Sequence, residues 1–225
     1  MTTVALIGPD GAGKTTLARR LAAELGLPAV YLYMGVSPDA SNRMLPTTRL
    51  VRAVKRLGGR PADAGGPPPP LEPSRAEGRF VRRGARNAKR ALRLANQLAE
   101  EWYRQLLVRR EVRRGRVVVL DRHFFADYYA HDIAGGDARS WDRRLHGFAL
   151  ERLPQPDLVV LLDAPPEVLL ARKGEGTIEA LARRRQDYLQ VGQVLPNFTT
   201  VDAGRDPDAV LAELASMVRA RAGAA

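Results

Sequence analysis

The run Gly8-Pro9-Asp10-Gly11-Ala12-Gly13-Lys14-Thr15 has the spacing G-x-x-x-x-G-K-[ST], and the chemistry that spacing supports is phosphate binding. Glycines allow the main chain to wrap closely around phosphate oxygens, so that several N–H groups point inward. A helix starting at the end of the run adds the positive end of its dipole. Lys14 supplies a point charge for the β and γ phosphates, and the Thr15 hydroxyl is suited to ligate Mg²⁺. The expected triphosphate-binding set is Gly8, Gly11, Ala12, Gly13, Lys14, Thr15 and Thr16. A second element of the same chemistry is Asp121, which closes the apolar run Val117–Leu120. A carboxylate at the C-terminal end of a parallel strand stands where α/β sheets bind ligands. Asp121 is therefore expected to hold the magnesium shell, with Thr15, or to orient the acceptor. Asp163, after Leu158–Leu162, is a rival, but Pro165 and Pro166 follow it as in a strand-to-helix turn, which favours a structural role. His123, His131 and His146 lack metal-ligand spacing. Tyr128 and Tyr129 suit stacking on a base as well as packing.

These residues need a scaffold, and the sequence alternates short apolar runs with helical patterns, as βαβ units with a parallel sheet do. Val4–Ile7 reads as the first strand and Lys14–Leu25 as the following helix, with Leu17, Leu21 and Leu25 at helical spacing. Gly26 and Pro28 stop that helix. Val30–Tyr33, Val117–Leu120, Leu158–Leu162 and Thr199–Val201 complete the set of strands. The last helix runs from Pro207 to Arg221 with Asp206 as its N-cap. The alternation breaks at 58–73, where Gly-Gly-Pro-Pro-Pro-Pro cannot sit inside a helix or sheet, and a flexible insertion is expected. From Ala85 to Arg113 the pattern is helical again: Ala88, Leu92, Ala95, Ala99, Trp102 and Leu106 recur at spacings of three and four. Trp102 has a core reading and a ligand-stacking reading of equal weight.

The composition narrows the classes. A chain of 225 residues with 45% apolar content is long enough for one α/β domain. No stretch approaches the roughly 20 apolar residues of a membrane span. The first strand begins too early to leave room for a signal peptide, so a cytoplasmic enzyme is expected. Without cysteine, disulfides and thiolate metal sites are excluded. The charge of +11 is carried almost wholly by arginine, since Lys14, Lys55, Lys89 and Lys173 are the lysines. A coding bias toward arginine, alanine and glycine accounts for this better than a nucleic-acid surface does, although Arg75–Arg93 is dense enough to offer polyanions a contact.

Together these segments resemble the thymidylate kinases of the nucleoside monophosphate kinase group. The likeness rests on Gly8, Asp10, Gly11, Gly13, Lys14 and Thr15, on Asp121-Arg122, and on Pro156-Asp157-Leu158 with Asp163-Ala164-Pro165-Pro166-Glu167. It covers about two-thirds of the chain. It implies a three-layer P-loop NTPase fold: a five-stranded parallel sheet, helices on both faces, and a short lid at about 172–178. The whole chain, 1–225, would form one kinase domain. By the resemblance, Asp10 contacts the acceptor sugar, Arg122 grips the acceptor monophosphate and His123 lines the acceptor pocket. Arginine suits that grip because its planar fork binds two phosphate oxygens at once. Arg172, Lys173 and Arg183 are the candidates for neutralising the transition state, so the catalytic set is Lys14, Asp121, Arg122, Arg172 and Arg183. The resemblance also suggests a homodimer, with the Ala85–Arg113 helix as a candidate face.

Three segments depart from the family pattern. Tyr33-Met34-Gly35-Val36-Ser37-Pro38 replaces an Arg-Glu-Pro-Gly loop, Asp127-Tyr128-Tyr129-Ala130-His131 replaces an Ala-Tyr-Gln signature, and Gly176-Thr177-Ile178-Glu179 replaces a lid Asp-Arg. The expected activity is ATP- and Mg²⁺-dependent phosphoryl transfer, with dTMP as the first acceptor. The alternatives are a kinase of another small phosphorylated acceptor and, ranked lower, a nucleotide-binding regulatory or RNA-binding protein.

Overall fold

The computed structural model describes residues 2–35, 79–136, 139–174 and 176–223. The expected insertion at 58–73 lies outside the described residues, as do 36–38, 75–78 and, in the lid, 175. In chain order the elements are β1 (Thr3–Ile7), α1 (Lys14–Glu24), β2 (Ala29–Tyr33), α2 (Arg79–Arg113), β3 (Val117–Asp121), α3 (Phe124–Tyr128) and a π-helical turn (Tyr129–Ile133). There follow α4 (Trp141–Leu150), β4 (Leu158–Asp163), α5 (Pro166–Lys173), α6 (Ile178–Gly192), β5 (Phe198–Asp202) and α7 (Pro207–Gly223). Each expected strand is present within one residue at either end. Asp206 caps α7, its Oδ1 accepting from the N–H groups of Asp208 and Ala209 at 2.9 and 3.1 Å.

The five strands are all parallel, in the order β2-β3-β1-β4-β5. Successive side chains of a strand point to opposite faces, and the sheet uses both. Val4, Leu6, Val117, Val119, Val160, Leu162 and Val201 enter a core closed by α1, α5 and α7. Ala5, Ile7, Val118, Leu120, Val159 and Leu161 enter a second core closed by α2, α3, α4 and α6. The result is the three-layer α/β sandwich of a P-loop NTPase. The strands β1 and β3 are neighbours, yet the chain leaves β1 toward the first core and β3 toward the second. The connections therefore diverge at their C-terminal ends and leave a crevice there, the place where open α/β sheets take ligands. Among the described residues no helix is long and apolar enough to cross a membrane.

The stripe on α2 is corrected by the structure. Leu92, Trp102 and Leu106 are 73%, 44% and 56% exposed, so Trp102 is not a core residue. The face that α2 turns inward carries Leu94 and Val108 but also Glu100, Glu101, Arg104, Gln105 and Glu111, all buried. Helical periodicity identifies an apolar stripe without saying what it faces. Here the inward polar groups are compensated partly within the helix, where Arg104 donates to Glu100 at 3.1 Å, and partly from outside it, by the Gly35 carbonyl that accepts from Arg104 and by Arg114 and Arg116, each 3.0 Å from Glu111.

Candidate active site at the phosphate loop

Between β1 and α1 the backbone takes left-handed angles at Gly8, Gly11 and Gly13. Two of these glycines are also fixed by space. A Cβ on Gly8 would lie 2.6 Å from the Leu162 carbonyl oxygen, and one on Gly11 2.5 Å from that of Leu169. Any side chain there would push the loop off β4 and α5. The loop ends at Gly13, the N-cap of α1, so the free N–H groups of the first helical turn open into the crevice.

Lys14, 5% exposed, donates to the Pro9 carbonyl at 2.6 Å and lies 3.7 Å from Asp10 Oδ1. Burial, helped by the Arg122 charge, lowers its pKa to about 8. Asp10 shows the opposite balance. Burial pulls its carboxyl up, but Lys14, Arg122 and Lys173 outweigh that and hold it at about 2. Arg122 Nη2 donates to Asp10 Oδ1 at 2.7 Å, and Lys173 Nζ stands 3.7 Å from Oδ2. A loop acid is thus tied to the arginine that follows β3, 112 residues away.

Arg122 has φ 72°, among the described residues the sole non-glycine with positive φ. That angle is unfavourable for a side chain with a Cβ, and such strain clusters at functional sites. Its N–H donates to the Leu6 carbonyl at 3.0 Å, which bends the chain out of β3 and turns the side chain toward the loop. The space is tight: a Cβ on Gly35 would lie 2.6 Å from Arg122 Cδ.

Asp121 is fully buried. Its Oδ2 accepts from the Thr15 hydroxyl at 2.6 Å and from the Tyr31 hydroxyl at 3.0 Å. Burial and the Asp121 charge push the Tyr31 hydroxyl up to about 12, so it stays a donor. Asp121 Oδ1 has no hydrogen-bond partner among the described residues. A buried carboxylate oxygen without a donor is costly unless a cation or a donor meets it. Hydroxyl and carboxylate oxygens also form the hard donor set that Mg²⁺ prefers, completed by water and phosphate oxygens. The residues present therefore fit the metal.

The wall of the crevice made by α3 and α6 carries further groups, of which Arg184 and Tyr188 were not singled out from the sequence and Asp127 only within the segment 127–131. Asp127 on α3 accepts from the Tyr188 hydroxyl at 2.8 Å. The Arg184 guanidinium lies 5.6 Å from the centroid of the Tyr188 ring and is held charged, against its burial, by Tyr188, Asp127 and Asp10. Arg184 thus faces the cluster of Asp10, Asp127 and Arg122. The sequence signal is partial: Arg184 and Arg185, four and three residues before Tyr188, share its helix face, and spacing excludes only Arg183.

The structure brings together Gly8, Asp10, Gly11, Ala12, Gly13, Lys14, Thr15, Asp121 and Arg122, with Thr16 next to them on α1. Lys173 reaches the cluster too, 3.7 Å from Asp10 Oδ2, whereas Arg172 and Arg183 stay outside it. Arg172 donates to the Ala203 carbonyl at 2.7 Å and the Gly204 carbonyl at 3.5 Å, at the end of β5. Arg183 is exposed. Asp163 is gripped by both Nε and Nη2 of Arg185, at 2.6 and 2.7 Å, in keeping with a structural role. His123 caps the start of α3, 1% exposed, and burial lowers its pKa to about 4. The ring is therefore neutral, and its Nε2 has no hydrogen-bond partner among the described residues.

A family model described as an AAA domain matches residues 4–175. A thymidylate kinase of Xylella fastidiosa is 33% identical over 98% of this chain and 94% of its own length. A thymidylate kinase of Xanthomonas oryzae pv. oryzae is 30% identical over 96% of this chain and 82% of its own length. A probable thymidylate kinase 1 of Saccharolobus solfataricus is 30% identical over 48% of this chain and 58% of its own length.

Proposed function

The chain belongs to the thymidylate kinase family and is a nucleoside monophosphate kinase, and from that premise we propose that it moves the γ-phosphoryl group of ATP to dTMP. The observation that carries the reading is the Asp10–Arg122 contact at 2.7 Å, beside Lys14. It joins the triphosphate loop to an arginine aimed at the other substrate, so that one charge cluster spans donor and acceptor.

In this reading the loop amides and Lys14 cradle the triphosphate. Lys14 exchanges its Pro9 carbonyl for phosphate oxygens, and the added negative charge holds it in its protonated form to higher pH. Thr15 and Asp121 would hold Mg²⁺, which would supply positive charge against the triphosphate. Arg122 binds the acceptor monophosphate, and Asp10 keeps the guanidinium turned into the crevice while reaching the acceptor sugar. Arg184, rather than Arg183, supplies the transition-state charge from α6. The work is positioning and charge neutralisation, because an acceptor phosphate is already ionised and needs little base catalysis.

The replaced segments at 33–38 and 127–131 favour a second reading of the acceptor, namely another small phosphorylated molecule. Turnover of ATP with dTMP, each other nucleoside monophosphate and no acceptor, run in parallel, separates the two. Transfer to dTMP above the others supports the first reading, and transfer to none of the nucleotides overturns it. Leu92, Trp102 and Leu106 of α2 are exposed, as are Trp141, Leu145 and Phe148 of the adjoining α4, which suits contact with a second copy of the chain.

A further inference from the structure

A second cluster of buried charge lies outside the phosphate loop and has no part in the mechanism above. His146 on α4 is 2% exposed, and both of its ring nitrogens meet carboxylates from other elements. Nδ1 is 2.6 Å from Asp132 Oδ2 in the π-helical turn, and Nε2 is 2.9 Å from Glu101 Oε1 on α2. A neutral imidazole has one N–H and can satisfy one of these oxygens; only the imidazolium donates to both. The other groups that face the ring are Gln97, whose Nε2 is 3.0 Å from His146 Nε2 and 3.3 Å from Glu101 Oε1, and Tyr128, which meets the ring edge-on at 4.8 Å. Arg143 Nε stands 3.9 Å from Asp132 Oδ1. Glu101 Oε2 has no hydrogen-bond partner among the described residues, so the imidazole and the long 3.3 Å contact from Gln97 are the donors this carboxylate meets.

The turn that holds Asp132 continues directly from α3, which carries Asp127 into the acceptor crevice. It is a π turn, a distortion that recurs at functional sites. It also sits backbone to backbone on α4: a Cβ on Gly147 would lie 2.0 Å from the Asp132 carbonyl oxygen. We propose that His146, as an imidazolium clamped between Glu101 and Asp132, is a positioning residue that fixes Asp127 in the acceptor crevice. Without the second N–H, two buried carboxylates would face each other across a neutral ring. The short π turn is the part that yields, because Glu101 belongs to a long helix packed on the sheet. A displacement of about 1 Å at such a distance from the chemistry can cost up to about a hundredfold in rate.

The sign of the pH dependence follows from the clamp. Burial opposes the charge, but the two carboxylates prevail and raise the His146 pKa from 6.5 to about 9. The clamp is complete below the unfolded value near 6.5 and is lost as pH rises through about 9.

The inference rests on the acceptor reading proposed above, and the test keeps the two apart. His146→Gln and Asp132→Asn, made in the full chain, are compared with the unmodified protein for KM toward nucleoside monophosphate and toward ATP. Calorimetric binding of the monophosphate is measured alongside, so that an inactive preparation still reports on the clamp. The expected result is a roughly tenfold or larger loss for the monophosphate with ATP within about twofold. The ratio of variant to unmodified protein should shrink toward one above pH 9, where the unmodified protein loses the same proton. Other titrating groups cancel in that ratio. Equal losses for both substrates, or a ratio independent of pH, would overturn the positioning role. Absence of transfer to any nucleoside monophosphate, with a pH-dependent split in binding, would overturn the acceptor reading and leave the clamp standing.

Discussion

Replacing Arg122 by lysine separates what its charge does from what its shape does. The guanidinium is 22% exposed and donates to Asp10 at 2.7 Å, in a cluster where Lys14 already provides a point charge. Lysine keeps the charge but loses the fork, so one charge-assisted hydrogen bond to the acceptor phosphate disappears. Such a bond contributes about 1.5–3 kcal/mol, and each 1.4 kcal/mol is a factor of ten, so kcat/KM for the monophosphate should fall roughly 10- to 100-fold. KM for ATP should stay within about twofold, because the loop amides and Lys14 are untouched. Folding should be unaffected, since lysine bears the same left-handed strain at φ 72°. Arg122→Gly is the companion. It relieves about 1 kcal/mol of strain and gives up a partly exposed ion pair of about 0–1 kcal/mol. Its melting temperature should therefore stay within a few degrees while kcat/KM falls about a thousandfold. Steady-state ADP release with each substrate varied in turn, beside thermal unfolding, reads all of this. If KM for ATP rose in step with that for the monophosphate, or the lysine variant matched the unmodified protein, Arg122 would not be the acceptor-phosphate ligand.

Three further outcomes are expected. Lys14 is charged below about 8 in the free protein, so ATP affinity should hold at neutral pH and fall as pH rises through that value, by up to tenfold per unit; calorimetric titration between pH 7 and 10 checks it, and a flat profile refutes it. Arg184→Gln should lower kcat by about a hundredfold or more while Arg183→Gln changes it by less than about threefold, and the reverse order would return the transition-state role to Arg183. Leu106→Glu, at a position 56% exposed, should halve the mass measured by light scattering without loss of secondary structure; an unmodified protein that is already monomeric removes the self-association reading.

Much of this protein is local and therefore legible along the chain. The phosphate loop is a run of neighbours whose glycines, lysine and threonine act through their own backbone and side chains, so spacing alone identifies it. The strands are continuous apolar runs because both sheet faces are covered, and that pattern gave each of them within one residue. Asp121 was legible for the same reason, as the polar residue that ends such a run. The remaining features are contacts between elements far apart in sequence. Which of three adjacent arginines faces the crevice depends on how α6 is rotated against α3, and Tyr188 and Asp127 meet across 61 residues. The diversion of Arg172 to the Ala203 carbonyl depends on where β5 ends relative to α5. The outward turn of the Trp102 stripe, and the burial of Glu101 against His146 and Asp132, depend on which face of α2 meets α4 and the π turn. Periodicity fixes the faces of a helix but not its rotation, and it gives no sign that a buried carboxylate has a distant partner. The sequence thus determined the fold class and the phosphate loop with Asp121, while only tertiary packing decided which charges gather between α3 and α6 beside Asp10 and Arg122.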